Sequence, residues 1–336
     1  MNILLVQTSF LGDTILSTPV ISGLNKLYPK ARIWMMTTPL SSSLVKRDPL
    51  LSGVISYDKR GKDSGLPGLI RMSRKIRKMQ FAKVYSLHRS FRTSLLVRLT
   101  GIPKRTGCED ASLSFVYHEK RKRDLEEHDV IRNLSILSNE SPVESFDTEM
   151  RLFAPAKEEI SQNIKERMPE AGEYAVLVPG SVWKTKMWHW QGYRSIAHFL
   201  INMGIPVVLL GALSDKDVGE SVAKGLDIVD LSGETSISES MYVMKNAKLS
   251  VCNDSMSLHM SSAFKVPTVA IFCATSPEFG YGPWKNRSMV VERTDLDCKP
   301  CRPHGSNVCP TGTEACMKDL SPDKVIDAIK ELLKIQ

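Results

Sequence analysis

Short unbroken apolar runs alternate along the chain with longer segments whose apolar residues recur every three or four positions. Ile3, Leu4, Leu5 and Val6 stand together without a polar interruption, the pattern of a strand covered on both faces, and predict a strand over 1–7. Residues 9–12 read as a turn. Ile15, Val20, Leu24 and Leu27 then fall near one face and predict a helix over 14–28. Strands follow over 31–37, 54–57 and 82–87, with a basic helix over 71–79 and another helix over 94–99. The rhythm restarts after Pro155. It gives helices over 157–167, 194–203, 238–246 and 259–264, and strands over 174–178, 206–210, 227–231, 249–252 and 268–272. Ser321, Pro322 and Asp323 supply an N-cap, a first-turn proline and a first-turn acid for a closing helix to 333. Strands alternating with helices predict parallel, doubly wound sheets with right-handed crossovers. Two such series in one chain predict an α/β protein of two Rossmann-like domains facing a cleft, residues 1–155 and 156–336, with the boundary near Pro142 to Pro155.

Length agrees with that division, since 336 residues exceed what one core usually serves. With 42% hydrophobic and 24% charged residues, extensive disorder is excluded. Lys and Arg outnumber Asp and Glu by 45 to 37, a formal charge of +8, which suits a phosphate, an anionic lipid or a nucleic acid. The basic clusters Lys59-Arg60, Arg71 to Lys78, Arg89/Arg92, Lys104-Arg105 and Lys120 to Arg123 all fall in the first half. They turn that half toward an anionic acceptor or a membrane surface. No apolar run approaches the roughly 18 residues that span a bilayer. The opening segment lacks the basic flank and cleavage site of a secretory signal. The expected location is cytoplasmic, with any membrane contact peripheral and on the cytoplasmic face of the inner membrane.

Candidate chemistry sits where strands end, the place ligands gather in open α/β sheets. Gly12 and Asp13 follow the first strand. Asp13 either caps the helix or projects as a general base toward an attacking hydroxyl. Pro179-Gly180-Ser181, followed by Lys184 and Lys186, lacks Walker spacing, yet a hydroxyl and a lysine at a strand end can hold a diphosphate. Asn253-Asp254-Ser255 opens a helix whose free N–H groups suit an anion, with His259 one turn in. Cys298, Cys301, Cys309 and Cys316 could hold zinc or stand as reduced thiols. The isolated Cys108, Cys252 and Cys273 read as buried thiols.

In their order along nearly the whole chain these segments resemble glycosyltransferase family 9, the ADP-heptose:lipopolysaccharide heptosyltransferases. The resemblance is carried by Ile3 to Val6 with Gly12-Asp13 and Thr18-Pro19, by Gly101 to Gly107 read as a Gly-x-x-x-Arg-x-Gly turn, by Glu127-His128 with Arg132, by Pro179-Gly180-Ser181 with Lys186-Met187-Trp188, by Leu231 to Ser236, and by Asn253-Asp254-Ser255 with His259. The cysteine-rich tail is similar to that of members like heptosyltransferase II. The resemblance implies a GT-B fold and an inverting transfer of heptose from ADP-L-glycero-D-manno-heptose to the lipopolysaccharide inner core, with no metal and no cofactor. It implies Asp13 as the base and Lys186 as the cation on the departing ADP. Gly180, Ser181, Asp254, Ser255, Met256 and His259 would line the diphosphate site, Asp215 would meet the ribose and Thr235 the adenine. Gly12, Arg92, Arg105 and His128 would face the anionic acceptor. Met256 stands where members carry Gly, a costly exchange if that turn needs a positive φ, and His189 stands where Pro is commoner. The alternatives are a family member with another sugar donor and a basic zinc-ribbon protein that binds nucleic acid.

Overall fold

The computed structural model describes residues 1–334. The chain divides into two compact units, Met1–Phe153 and Ala154–Gln336. In the first unit, β1 (Asn2–Val6), β2 (Arg32–Thr37), β3 (Leu51–Ser56), β4 (Phe81–Ser86), β5 (Lys104–Cys108) and β6 (Glu119–Arg121) form one sheet in the order β3-β2-β1-β4-β5-β6. Every neighbouring pair in it is parallel. Ile3 to Val6 are buried on both faces of β1, as an unbroken apolar run requires. Leu4 and Val6 join one core cluster with Leu69, Met72 and Ile76 of the Gly65–Lys78 helix and with Leu96 and Val97 of the Phe91–Thr100 helix.

In the second unit, β7 (Ala175–Val178), β8 (Val207–Leu209), β9 (Val229–Asp230), β10 (Leu249–Asn253), β11 (Thr268–Phe272) and β12 (Ser288–Glu292) run in the order β12-β11-β10-β7-β8-β9, again all parallel. Counted within its own unit, each sheet has the same strand order. The core gathers Trp188, Tyr193 and Leu200 with Leu177, Val251 and Ile271. Gly192 belongs to the Trp190–Asn202 helix, and a Cβ there would lie 2.1 Å from the Trp188 ring. The missing side chain is what lets that helix close on the indole. The last helix is Pro322–Leu333, and Ser321 caps it by accepting from the Asp323 N–H at 3.2 Å.

Several expected elements differ. The helix expected over 14–28 is two, Leu11–Leu16 and Pro19–Leu27. Pro19 has no N–H to continue the first helix, and Ser17 and Thr18 turn their hydroxyls back to the Thr14 and Ile15 carbonyls at 2.8 and 2.7 Å. The turn expected over 9–12 is accordingly shorter. Gly12 is helical and is not among the positive-φ glycines, so it makes no left-handed turn. The segment from Gly101 to Gly107 is not a turn either. Gly101, at φ 71°, ends the preceding helix, and β5 begins at Lys104. Gly107 is needed because a Cβ there would meet the Tyr117 ring at 2.6 Å. The segment 157–167 starts as a 3-10 turn and is α-helical only over Gln162–Arg167. Among the described residues no helix is long and apolar enough to cross a membrane.

Candidate active site

Both sheets reverse their strand order at one internal junction, β1/β4 in the first and β7/β10 in the second. In open α/β sheets the loops leaving the carboxyl ends of strands diverge at such a junction, which is where ligands bind. In the second unit this junction is drawn together by one side chain. Asn253, fully buried at the end of β10, donates from Nδ2 to the Pro179 carbonyl at 2.8 Å and accepts from the Trp188 N–H at 3.0 Å. It thereby fixes the loop after β7, the turn that carries Lys186, and its own loop. Lys186 ends the short 3-10 turn Lys184–Lys186, and its Nζ lies 2.7 Å from Asp254 Oδ2, with the two side chains only 12% and 5% exposed. The same Asp254 oxygen accepts from Thr275 Oγ1 at 2.7 Å.

Ser255 is the N-cap of the Met256–Ala263 helix, and its hydroxyl lies 3.0 Å from that of Ser257. Met256 is the first helical residue and has no positive φ, so its exchange for Gly brings no backbone strain. His259 is buried on that helix. Gly180 is buried, and a Cβ on it would fall 2.2 Å from Asp215 Oδ2. Asp215 accepts from the Ala212 N–H at 2.9 Å. Thr235 is half-buried and shares a hydrogen bond of 2.8 Å with Ser240. Ser181, Lys186, Asp254 and Ser255 thus fall on loops tied by Asn253. Asp215 reaches the same region through its contact with Gly180.

The cysteine-rich stretch lies behind the Lys186 turn. Thr185 accepts from the Ser306 N–H at 2.8 Å and donates to the Ser306 carbonyl at 2.9 Å through one hydroxyl. A Cβ on Gly305 would lie 3.0 Å from Lys186 Cγ. The cysteines of the described residues are free thiols, and among those residues no three His, Cys, Asp or Glu side chains converge as a metal set. A hydrogen bond from Thr311 lowers the Cys309 thiol to about 7, whereas burial raises Cys316 to about 11. Cys108, Cys252 and Cys273 are buried.

In the first unit, Asp13 sits in the first turn of Leu11–Leu16, and its Oδ2 accepts from the Phe10 N–H at 3.1 Å. The capping role is therefore real, and it leaves Asp13 partly exposed. Burial raises its pKa and nearby Asp129 adds to the rise, while hydrogen bonds from Ser9 and Phe10 and the charge of Arg123 oppose it. Asp129 is itself held by Arg123 and by the Asn133 amide at 2.9 Å. His128 caps the Asp129–Leu134 helix, accepting from the Val130 N–H at 3.3 Å, and that helix packs against the Asp13 helix. Across the β1/β4 junction stands His88, a residue that no motif singled out. Its Nδ1 lies 2.9 Å from Thr8 Oγ1 and 2.7 Å from Thr93 Oγ1. Burial, with the charges of Lys59 and Arg89, lowers it to about 4, so the ring is neutral at neutral pH. Lys59 donates to the Thr8 carbonyl at 2.6 Å, and burial, Arg60 and Arg92 lower its pKa.

Arg92 and Arg105, expected to face the acceptor, are both held by other groups of the first unit. Arg92 spends its donors on Tyr57 Oη at 2.7 Å and on the carbonyls of Asp63 and Gly65 at 2.6 and 2.9 Å. Arg105 lies near the start of β5, the opposite end of a parallel sheet from the loop after β1. It donates to the Val116 and Ile102 carbonyls, both at 2.7 Å. Both half-buried guanidiniums fasten backbone carbonyls of neighbouring loops.

Two doubly wound units, each with polar loops gathered at its strand-order reversal, define the class by architecture: the GT-B fold. Residues 69–310 match glycosyltransferase family 9 (heptosyltransferase), and the chain belongs to that family. Lipooligosaccharide heptosyltransferase 2 of Campylobacter jejuni is 23% identical over 99% of both chains. The solved ADP-heptose LPS heptosyltransferase II of Escherichia coli superposes with a TM-score of 0.80 at 22% identity over 99% of each chain. The family 9 glycosyl transferase of Veillonella parvula gives 0.84 at 21% identity, covering 100% of this chain and 98% of that one. Family membership replaces the zinc-ribbon, nucleic-acid-binding alternative.

Proposed function

We propose that this glycosyltransferase moves heptose from ADP-L-glycero-D-manno-heptose to a lipopolysaccharide inner-core sugar, with inversion and without a metal. What supports the reading is the Lys186–Asp254 pair on the loops tied by Asn253, where a cation, serine hydroxyls and a helix N-terminus share a strand-order reversal. In this reading Gly180, Ser181, Ser255, Met256 and the N–H groups around them receive the diphosphate. Asp254 is a positioning residue, because a carboxylate repels phosphate while it holds Lys186 toward it. Asp215 and Thr235 serve the ribose and adenine. His259 supports the helix from within.

Asp13 takes the proton of the acceptor hydroxyl as that oxygen bonds to the anomeric carbon. The carbon–oxygen bond to the β-phosphate breaks on the opposite face, and its electron pair leaves with ADP, whose charge Lys186 offsets. A raised pKa makes Asp13 a stronger proton acceptor than an ordinary carboxylate. Gly12 leaves the approach to Asp13 free of a side chain, and His128 borders it. The neutral His88 with Lys59 adds a polar, basic wall at the same sheet end, suited to an anionic acceptor. The protein works in the cytoplasm and touches the inner membrane peripherally.

The test incubates the protein with ADP-heptose and a heptose-deficient core acceptor in the presence of EDTA. ADP release with a product of inverted anomeric configuration is expected. Transfer only from another nucleotide sugar, or only with added metal, overturns the reading.

A further inference from the structure

We infer that the outward side of the Gly65–Lys78 helix docks the protein onto an anionic bilayer. This deepens the membrane contact proposed above by naming its surface, and it rests on that reading only for the purpose of the contact. The helix buries Leu69, Met72 and Ile76 against the first sheet. Its opposite side carries a ridge at four-residue spacing, Leu66, Ile70, Arg74 and Lys78, with Pro67, Arg71 and Lys75 alongside. These residues line a surface hollow of about 780 Å³. Leu66 is 63% exposed and Ile70 36%. Phe91, 57% exposed, opens the next helix, and Arg92 beside it ties that end to the Gly65 carbonyl. The apolar residues therefore gather at the N-terminal half of the helix and the cations at its C-terminal half.

Charge complementarity selects the occupant. Residues 64–80 contain no acid. Asp63 just before them is buried and engaged by Arg71 at 2.8 Å. Arg77 is committed to the Leu99 carbonyl at 2.7 Å. Arg74, Lys75 and Lys78 are left with no hydrogen bond or ion pair among the described residues. A face that met only water would have no reason to hold Leu66 and Ile70 in line with these cations. A nucleic-acid surface would use the cations and leave the aliphatic residues idle. An interfacial helix uses both, the apolar residues entering the acyl boundary and the cations lying among lipid phosphates.

The experiment is co-sedimentation of the full chain with vesicles of phosphatidylcholine alone, or of phosphatidylcholine with phosphatidylglycerol, at about 0.1 M salt. Expected is half-binding to the phosphatidylglycerol vesicles at a lipid concentration about tenfold or more below that for neutral ones. The variant R74E/K75E/K78E should weaken the anionic binding about a hundredfold, and L66S/I70S about tenfold. Both should keep wild-type ADP affinity and wild-type activity on a soluble acceptor oligosaccharide. Equal sedimentation with both vesicle types overturns the inference, as does charge reversal without effect. A raised KM for the soluble oligosaccharide in R74E/K75E/K78E would assign these cations to the acceptor and overturn it too. An inactive wild type that still binds anionic vesicles would sink the transferase reading and leave this one standing.

Discussion

Asp13 holds two demands in opposition. A base must be ionised to work, and burial disfavours ionisation. Its folded pKa lies above the value of about 3.9 expected in the unfolded chain. Folding therefore favours the protonated form, and the ionised carboxylate costs stability at neutral pH. That cost shrinks as pH falls through the raised value and is gone below the unfolded-chain value of about 3.9. Activity runs the other way, present above that pKa and lost below it, so kcat/KM should fall on the acid side with an apparent pKa above the ordinary carboxyl range. Asp13→Asn keeps an oxygen for the Phe10 N–H and removes the charge. We expect kcat about 10² to 10⁴-fold lower, ADP affinity unchanged, and a melting temperature a few degrees higher by calorimetry; retained turnover would remove Asp13 from its role. Lys186 poses the complementary case. Lys186→Met strands Asp254, which is 5% exposed, and should cost about 3 kcal/mol while weakening ADP binding. Adding Asp254→Asn should restore much of the stability and none of the affinity. A cycle in which both recover together would make the lysine structural only.

Elements decide what the sequence could reveal. Unbroken apolar runs such as Ile3–Val6 and Thr268–Phe272 announce strands because both faces are covered. β6, made of Glu119, Lys120 and Arg121, is an edge strand of its sheet with no apolar signature to find. The Asp129–Leu134 helix was hidden for a related reason. Asp129, Arg132 and Asn133 are buried in a polar network that no hydrophobic period records. Loops after strands were legible as chemistry, so Asp13, Lys186 and Asn253 to Ser255 stood out. His88 was not, since its partners Thr8, Thr93 and Lys59 come from separate segments. The carbonyls that hold Arg92 and Arg105 could not be read from a one-dimensional string. Asn253 was visible as a motif residue, but its service to two other loops was not. Asn253→Ala leaves the Pro179 carbonyl and the Trp188 N–H without that partner. It should cost about 2–5 kcal/mol in urea unfolding and weaken ADP binding in the same samples. Gly192→Ala should also cost about 1–3 kcal/mol through the Trp188 contact, with ADP binding at folding temperatures little changed.

At the scale of the molecule, two units with separate cores share a net charge of +8. A ligand stabilises what it binds, by about 2.7 kcal/mol at a hundred times its Kd. ADP alone should then slow hydrogen exchange around 179–188 and 253–259 and leave the segment around Asp13 at its ligand-free rate; protection confined to the Asp13 segment would reverse the assignment of donor and acceptor units. The clasp between Thr185 and Ser306 joins positions 121 apart in the chain. A gene truncated just ahead of Ser306 would still spell the segments from Ile3 to Val6 through Asn253-Asp254-Ser255 and His259. Its product would lack the partner that clasps the turn carrying Lys186, and with it the last helix, whose Val325, Ala328, Ile329 and Leu332 fill the second core, so an intact set of motifs does not certify a folded copy.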